Sequence, residues 1–341
     1  MAADSQKEAG TESVTEAIRR MSMTEIIRLQ DVLSRELKVR FEKELALGFA
    51  DIVGSTEYFA RFGDEAGRKL QQRHFDFLQQ TVPARQGRVV DTAGDGAFMV
   101  FPTAEAAAAA FIELQTLISG DNLTRPREHQ LQLRLGLHWG PVLTDGTQVT
   151  GEAVNLAARV TASAAPGEIR MTMDVFRSFS NTFYRLSSRV LGPVALKGIF
   201  RPVDLLSLQW RDRNLYPDSV RIRETGWQVR LPPQDTISFG RLQENEGVAA
   251  NDVVLSMTEV ADTLKISRWQ FELRRYPDGF RLRPVSEQLT EVDGVPVAKG
   301  MEVPIRPGSL VRVARIATLE FFSQPVVAGP GGGETLMPTT P

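Results

Sequence analysis

Two aspartates define the chemistry this chain can offer. Asp51 lies in the apolar run Leu47-Gly48-Phe49-Ala50-Asp51-Ile52-Val53, which breaks at Gly54. An ionised carboxylate inside such a run is costly unless it is paired or binds a cation. Asp95 stands between Gly94 and Gly96, where two apolar runs meet, and this pattern predicts a hairpin with the carboxylate at its tip. Asp and Gly are also ordinary turn residues, so the hairpin alone decides little. Two carboxylates on neighbouring strand ends form a hard oxygen donor set suited to Mg²⁺ or Mn²⁺, and a pair of such ions can clamp a phosphoryl centre.

The elements that must position these residues alternate. A strand ending at Val53 is followed by a helix through Leu78, the Asp95 hairpin, an Ala-rich helix after Pro102, a strand from Leu131 to Trp139, and a helix from Gly151 that stops at Ala165-Pro166-Gly167. Later strands surround Leu196-Lys197-Gly198 and span Val203 to Leu208, giving an α+β domain over residues 45–211. Asn155 and Arg159, four apart on one helix face, can hold a sugar oxygen and a phosphate together; the alternative is a solvated face on which Arg159 pairs with Glu152 or Glu168. Residues 1–44 read as a polar tail followed by an amphipathic helix. Ser22-Met23-Thr24-Glu25 is a capping box, and Ile26, Leu29, Leu33 and Leu37 form a stripe for packing on the same domain or pairing with a second chain.

Composition narrows the functions. The 341 residues, 42% of them apolar, suffice for two domains with cores. A net charge of -2 supplies no field that would gather nucleic acid or an anionic membrane, so neither is expected as a partner. With no cysteine, disulfides and thiol catalysis are excluded, and the composition fits the cytoplasm. Three scattered histidines, His74, His129 and His138, offer neither zinc spacing nor a serine triad. No apolar run is long enough to span a bilayer, and the first residues lack a signal-peptide core.

Phe49-Ala50-Asp51-Ile52 with Gly54-Ser55-Thr56, the Gly94-Asp95-Gly96 hairpin, Val154-Asn155-Leu156-Ala157-Ala158-Arg159 and Leu196-Lys197-Gly198 follow the order and approximate spacing of class III nucleotidyl cyclases. The region resembles one such catalytic domain. The resemblance implies a ferredoxin-like sheet core and a head-to-tail homodimer with active sites at its interface. Asp51 and Asp95 would hold two Mg²⁺ or Mn²⁺ ions, Asn155 would orient the ribose, Arg159 would stabilise the transition state, and Lys197 would contact the terminal phosphates. The product would be a 3′,5′-cyclic monophosphate with pyrophosphate. The base-reading positions depart from the family: Asp91 stands where adenylyl cyclases usually carry Lys, and Gln148 where they carry Asp or Thr. An ionised Asp91 only accepts hydrogen bonds, whereas Gln148 accepts and donates, which suits guanine. Gln148 alone can still pair with adenine, so ATP and GTP both stay open as substrates. A catalytically silent dimerisation scaffold is the alternative, but it would leave these residues free to drift.

Beyond Arg211 the pattern changes to short strands with turn punctuation. Ser238-Phe239-Gly240-Arg241, Asn251-Asp252, Ile266-Ser267-Arg268, Asp293-Gly294 and Arg306-Pro307-Gly308 resemble a forkhead-associated (FHA) domain over residues 221–325, after a linker at 212–220. That resemblance implies an all-β sandwich and a phosphothreonine site at Arg241, Ser267 and Arg268. Gln270 replaces the family's structural His, and Glu287 introduces an acidic charge into a loop near the phosphate. Residues 326–341 read as a flexible tail, and one of its threonines, Thr335, Thr339 or Thr340, once phosphorylated, would be an internal ligand for this module.

Overall fold

The central strand of the first domain reads in two directions at once. In β1 (Glu42–Ile52), Ala46, Ala50 and Ile52 join one core, while Leu47 turns to a second cluster on the opposite face, the period-two alternation of a strand covered on both sides. The computed structural model describes residues 15–211, 214–232, 234–245, 248–276 and 278–323. The expected tails at 1–12 and 326–341, with Thr335, Thr339 and Thr340, and the start of the linker at 212–213 lie outside the described residues.

Helix α1 (Met23–Phe41) opens with the expected capping box: the Ser22 side chain accepts from Glu25 N, and the Glu25 carboxylate accepts from Ser22 N at 2.7 Å. None of its residues is buried, and Leu33 remains 54% exposed, so the stripe expected either to pack on the same domain or to pair with a second chain is left largely exposed by the described residues. After β1, helix α2 (Ser55–Ala84) is interrupted at Gly63 and extends beyond the expected end at Leu78, because Thr81 and Val82 continue its buried face. Strands β2 (Arg88–Ala93) and β3 (Gly96–Phe101) form the hairpin. Helix α3 (Ala104–Asn122) is capped by Thr103, whose hydroxyl accepts from Ala106 N, and its buried Ala104, Ala107, Ala108 and Ala110 let the backbone lie close to the sheet.

The remaining elements are β4 (Leu133–Thr144), β5 (Val149–Thr150), helix α4 (Glu152–Ser163), β6 (Ile169–Thr172), β7 (Ser188–Val194) and β8 (Val203–Leu208). The sheet runs β2-β3-β1-β4-β6-β8-β7, with β5 on β4. β1 is antiparallel to both β3 and β4, and β4 is parallel to β6. Helices α2 and α3 contribute to the larger core, with Leu78 and Phe111 among its buried side chains. Helix α4 covers the other face through Ala153 and Ala157, which pack with Leu47, Phe98 and Val142.

Helix α4 meets β4 at Gly136, where an added Cβ would lie 2.2 Å from Thr161 Oγ1 and 2.5 Å from its main-chain nitrogen. Since backbone cannot rotate aside as a side chain can, Gly136→Ala should destabilise the fold by about 1–3 kcal/mol. Gly120 in α3 has open space around it, so Gly120→Ala should instead stabilise by about 0.5–1 kcal/mol. Urea midpoints of the two variants should therefore move in opposite directions.

Residues 219–322 form two large sheets around a single core, beside a two-stranded pairing of Glu244–Asn245 with Val248–Ala249. One orders its strands Gln228–Arg230, Ser219–Ile222, Ala317–Phe322, Leu310–Val313, Thr290–Val292 and Val295–Pro296. The other runs Val253–Val254, Thr236–Gly240, Phe271–Tyr276, Gly279–Pro284 and Val303–Ile305. The first strand starts inside the segment expected to be linker, because Tyr216, Val220 and Ile222 are already buried in this core. Asp235 ties the two domains together: it accepts from Ser119 Oγ at 2.9 Å and Asn122 Nδ2 at 2.8 Å, both on α3, and from Arg211 at 3.1 Å. Arg127 adds contacts to Asp252 and Ser238.

Candidate active site

Asp51 lies at the end of β1 on the face of Leu47 and Phe49, and Asp95 at the β2–β3 turn next door. The β1–β3 ladder ends at the pair Ala50 and Ala97, so both carboxylates project just past the same end of the paired strands. The turn between the paired Ala93 and Gly96 is a two-residue connection, and only its first residue, Gly94, takes a left-handed conformation, with φ 63. Gly96, expected to share that freedom, belongs to the extended strand.

The two acids interact. Burial and then the Asp95 charge push the Asp51 carboxyl above its usual range, while Arg134, 3.5 Å away and opposite Asp51 in the β1–β4 register, acts against both. Helix α2 begins at Ser55, four residues after Asp51, and directs the unpaired N–H groups of its first turn to this end of the sheet. Behind the hairpin, His74 of α2 is fully buried and lies near Asp95, whose backbone and charge partly offset burial; its imidazole falls to about 4 and is neutral at pH 7. Sequence reasoning missed this neighbour of Asp95, although its placement in the buried series Gly67, Leu70, His74, Leu78 marks it as inward-facing. His129 meets Tyr58 and His138 meets Thr172, so the histidines form no triad.

A row crosses the sheet beside the carboxylates. Asp91 is opposite Phe98, Phe98 is opposite Phe49, and the two rings stack at 4.6 Å. Asp91 is exposed and its carboxylate accepts from Thr92 N at 2.8 Å. Gln148 is exposed in the β4–β5 turn, which Arg88 links to β2 by donating to Thr147 O at 2.9 Å. Asp145 shapes that turn by accepting from Thr147 Oγ1, Thr147 N and Gln148 N, and these bonds lower its carboxyl from 3.8 to about 2. With the folded value below the unfolded one, the turn keeps this stabilisation above about pH 4 and loses it as the pH falls through about 2. Amide NMR signals of Thr147 and Gln148 should titrate near 2; a midpoint near 4 would contradict the assignment of these bonds.

Helix α4 buries Ala153, Ala157 and Val160, which leaves Asn155 and Arg159 exposed together on its outer side. Glu168, an alternative partner for Arg159, instead pairs with Arg170 at 3.0 Å. Lys197 is exposed between β7 and β8. Among the described residues, no hydrogen bond or ion pair links Asn155, Arg159 or Lys197 to Asp51 or Asp95, so one chain does not bring the two groups into contact.

In the β-sandwich, Arg241 N donates to Ser267 O at 3.0 Å, and Asn251 Nδ2 donates to Leu242 O and Arg268 O, which gathers Arg241, Ser267 and Arg268 at one end. Gln270 is fully buried; its Oε1 accepts from Ser267 N and its Nε2 donates to Gln288 O and Thr290 Oγ1, so it braces these loops. Glu287 pairs with Lys299 at 3.1 Å. No described helix is long and apolar enough to cross a membrane.

An α+β sheet carrying a carboxylate pair beside a helix N-terminus suits a domain that handles nucleoside phosphates. The chain belongs to the family described as the adenylate and guanylate cyclase catalytic domain, whose model matches residues 37–207. It is similar to a putative adenylate cyclase 3 of Rhizobium meliloti (strain 1021), 24% identical over 225 residues, or 64% of this chain and 38% of that protein. An adenylate cyclase of Streptomyces coelicolor (strain ATCC BAA-471 / A3(2) / M145) is 35% identical over 123 residues, 36% of this chain and 31% of the relative. The chain thus spans less than two-fifths of the length of these curated relatives. A crystal structure of an adenylate/guanylate cyclase/hydrolase from Silicibacter pomeroyi shares 26% identity with a TM-score of 0.42, covering 49% of this chain and 97% of that one.

Proposed function

We propose that residues 45–211 convert ATP or GTP to a 3′,5′-cyclic monophosphate and pyrophosphate, with two copies of the chain completing each site. The reading rests on Asp51 and Asp95, held at one end of the sheet so closely that the charge of one hinders ionisation of the other. Asp51 and Asp95 would hold a divalent cation, which would relieve that repulsion. Asp51 and Asp95 are a pair of acids, and among the described residues no group of three acids or histidines forms a metal cluster. This matches Mg²⁺ or Mn²⁺, which commonly takes one or two carboxylates plus phosphates and water. When bound, such ions supply charge neutralisation at the phosphates and help ionise the ribose 3′-hydroxyl.

The chain's own residues do the rest. Asp51 and Asp95 fix the cations, and the free N–H groups of the first turn of α2 receive phosphate oxygens. The 3′-oxygen bonds to the α-phosphorus, its proton leaves to solvent, and the bond from the α-phosphorus to the bridging oxygen breaks, releasing pyrophosphate. Asn155 orients the ribose, Arg159 neutralises charge developing at the α-phosphate, and Lys197 holds the terminal phosphates. Their exposure, with no side-chain partner among the described residues, supports assigning them to the carboxylates of a second copy. Asp91 and Gln148 read the base beside the Phe49–Phe98 stack. The β-sandwich serves as an FHA-type recognition module for a phosphothreonine peptide at Arg241, Ser267 and Arg268, with Gln270 replacing a structural histidine as the brace of its loops.

Incubation with Mn²⁺ and each of ATP, GTP, CTP and UTP, with products identified by mass, tests the reading. One cyclic monophosphate formed with equimolar pyrophosphate supports it. A folded dimer that yields none favours the silent scaffold.

A further inference from the structure

Asp91 owes its side of the sheet to an irregularity in β2. In a regular strand Arg88 and Asp91, an odd number of residues apart, would point to opposite faces. The β2–β3 register instead pairs Arg88 with Val100, Val89 with Met99 and then Asp91 with Phe98, so β2 carries an extra residue between Val89 and Asp91. The packing agrees: Val89 lies against the core that holds Leu78 and Phe111, whereas Val90 lies against the Leu47 and Phe98 cluster on the other face. Phe98 and Val100 both belong to that second cluster. Directly opposed residues share a face, so Arg88 and Asp91 emerge on the same side of the sheet.

The β4–β5 turn meets β2 on that side. Val142 of β4 is buried in the same cluster and Val149 of β5 packs against it. The turn is fixed from within: Asp145 accepts from Thr147 N and Gln148 N at 2.8 Å, and Thr144 Oγ1 donates to Gln148 O at 2.6 Å. Both main-chain groups of Gln148 are therefore engaged. Arg88 fixes the turn from outside, with Nη1 donating to Thr147 O at 2.9 Å. The side chain that holds the turn thus comes from the strand that carries Asp91, and the carbonyl it holds belongs to the residue just before Gln148.

We propose that Arg88 is a positioning residue for base recognition, holding the β4–β5 turn to the bulged β2 so that Asp91 and Gln148 address one heterocycle. The inference rests on the reading of Asp91 and Gln148 given above, and it assigns Arg88 no contact with the nucleotide. Without Arg88 the turn keeps its internal bonds, but its distance from β2 is free to vary. Hydrogen bonds weaken steeply as their geometry loosens, so the loss falls on discrimination between bases. Lysine keeps the charge and a donor but not the planar, pre-organised fork of a guanidinium.

The test uses the full chain with Mn²⁺ and the 2′,3′-dideoxy triphosphates of adenine and guanine, which lack the 3′-hydroxyl and bind without turnover. Their affinities are measured by calorimetry, beside steady-state rates with ATP and GTP. The parent should prefer one base, and Arg88→Ala should reduce that preference by about fivefold or more, with the change in rates carried by KM and kcat within about threefold of the parent. Thr144→Val, which removes the bond to Gln148 O without altering charge, should erode the preference in the same direction. Arg88→Lys should retain more of it than Arg88→Ala. Arg85→Ala removes a positive charge that pairs with Glu113 instead of this turn, and it should leave the preference unchanged. No binding of either analogue, equal binding of the two by the parent, or an unchanged preference in Arg88→Ala would each overturn the proposal. A preference that is present in binding and lost in Arg88→Ala supports it even if no cyclic product forms, a result that would count against the cyclase reading alone.

Discussion

Replacing Asp95 with asparagine should cut turnover by a factor on the order of 10³ or more while leaving the protein folded and its quaternary state unchanged. The substitution keeps the shape of the hairpin tip: the turn depends on Gly94 and on the Ala93–Gly96 pair, not on the carboxylate. What it removes is one of the two negative charges that hold the cations. The same change relieves Asp51, whose ionisation is hindered by Asp95, so the Asn variant should be no less stable than the parent in the absence of metal. Loss of activity with retained or increased stability separates a functional carboxylate from a structural one. Isothermal titration with Mn²⁺ should show weakened binding in parallel, and activity close to the parent's would remove Asp95 from the site.

The second large effect is expected far from the carboxylates. Asp235 is 7% exposed at its side chain and faces two buried guanidiniums while accepting from Ser119 and Asn122 of α3. Truncation to alanine leaves those cations without the carboxylate they share among the described residues, and two α3 side chains without that acceptor. Removing one partner of a buried ion pair typically costs about 3–5 kcal/mol, and that magnitude is expected for Asp235→Ala in urea unfolding. Because the lost contacts join α3 to the sandwich, the single transition of the parent should split, with each domain unfolding around its own core. A change below about 0.5 kcal/mol with one cooperative transition would mean that the domains are coupled by other contacts, such as Arg127 with Asp252.

The parts of this arrangement that depend on local pattern were legible in the sequence. The alternation in Leu47–Ile52, the Gly94-Asp95 turn, the Ser22–Glu25 capping box and the outward pairing of Asn155 with Arg159 each follow from residue types a few positions apart. Contacts between distant segments were not. Nothing in the spacing around His74 indicates that it lies behind Asp95, and no local feature marks Asp235 as the acceptor for residues more than 100 positions earlier. The uncovered stripe of α1 is a related case, since amphipathicity predicts an apolar face but not what covers it. Gln270 read as a departure from the FHA pattern; its burial and four side-chain hydrogen bonds show it bracing the loops around Ser267.

Shared sites make the account testable by mixing inactive chains. Asp51→Asn disables the carboxylate half of a site and Arg159→Ala the half supplied by the other copy. Each variant alone should be inactive as a homodimer. After subunit exchange, half of the dimers carry one variant of each kind, and in these one of the two sites has both halves intact, so about a quarter of the parental activity should return. Exchange is verified independently by mass-labelled chains. Recovery near that level establishes that two copies build each site; no recovery despite demonstrated exchange contradicts it.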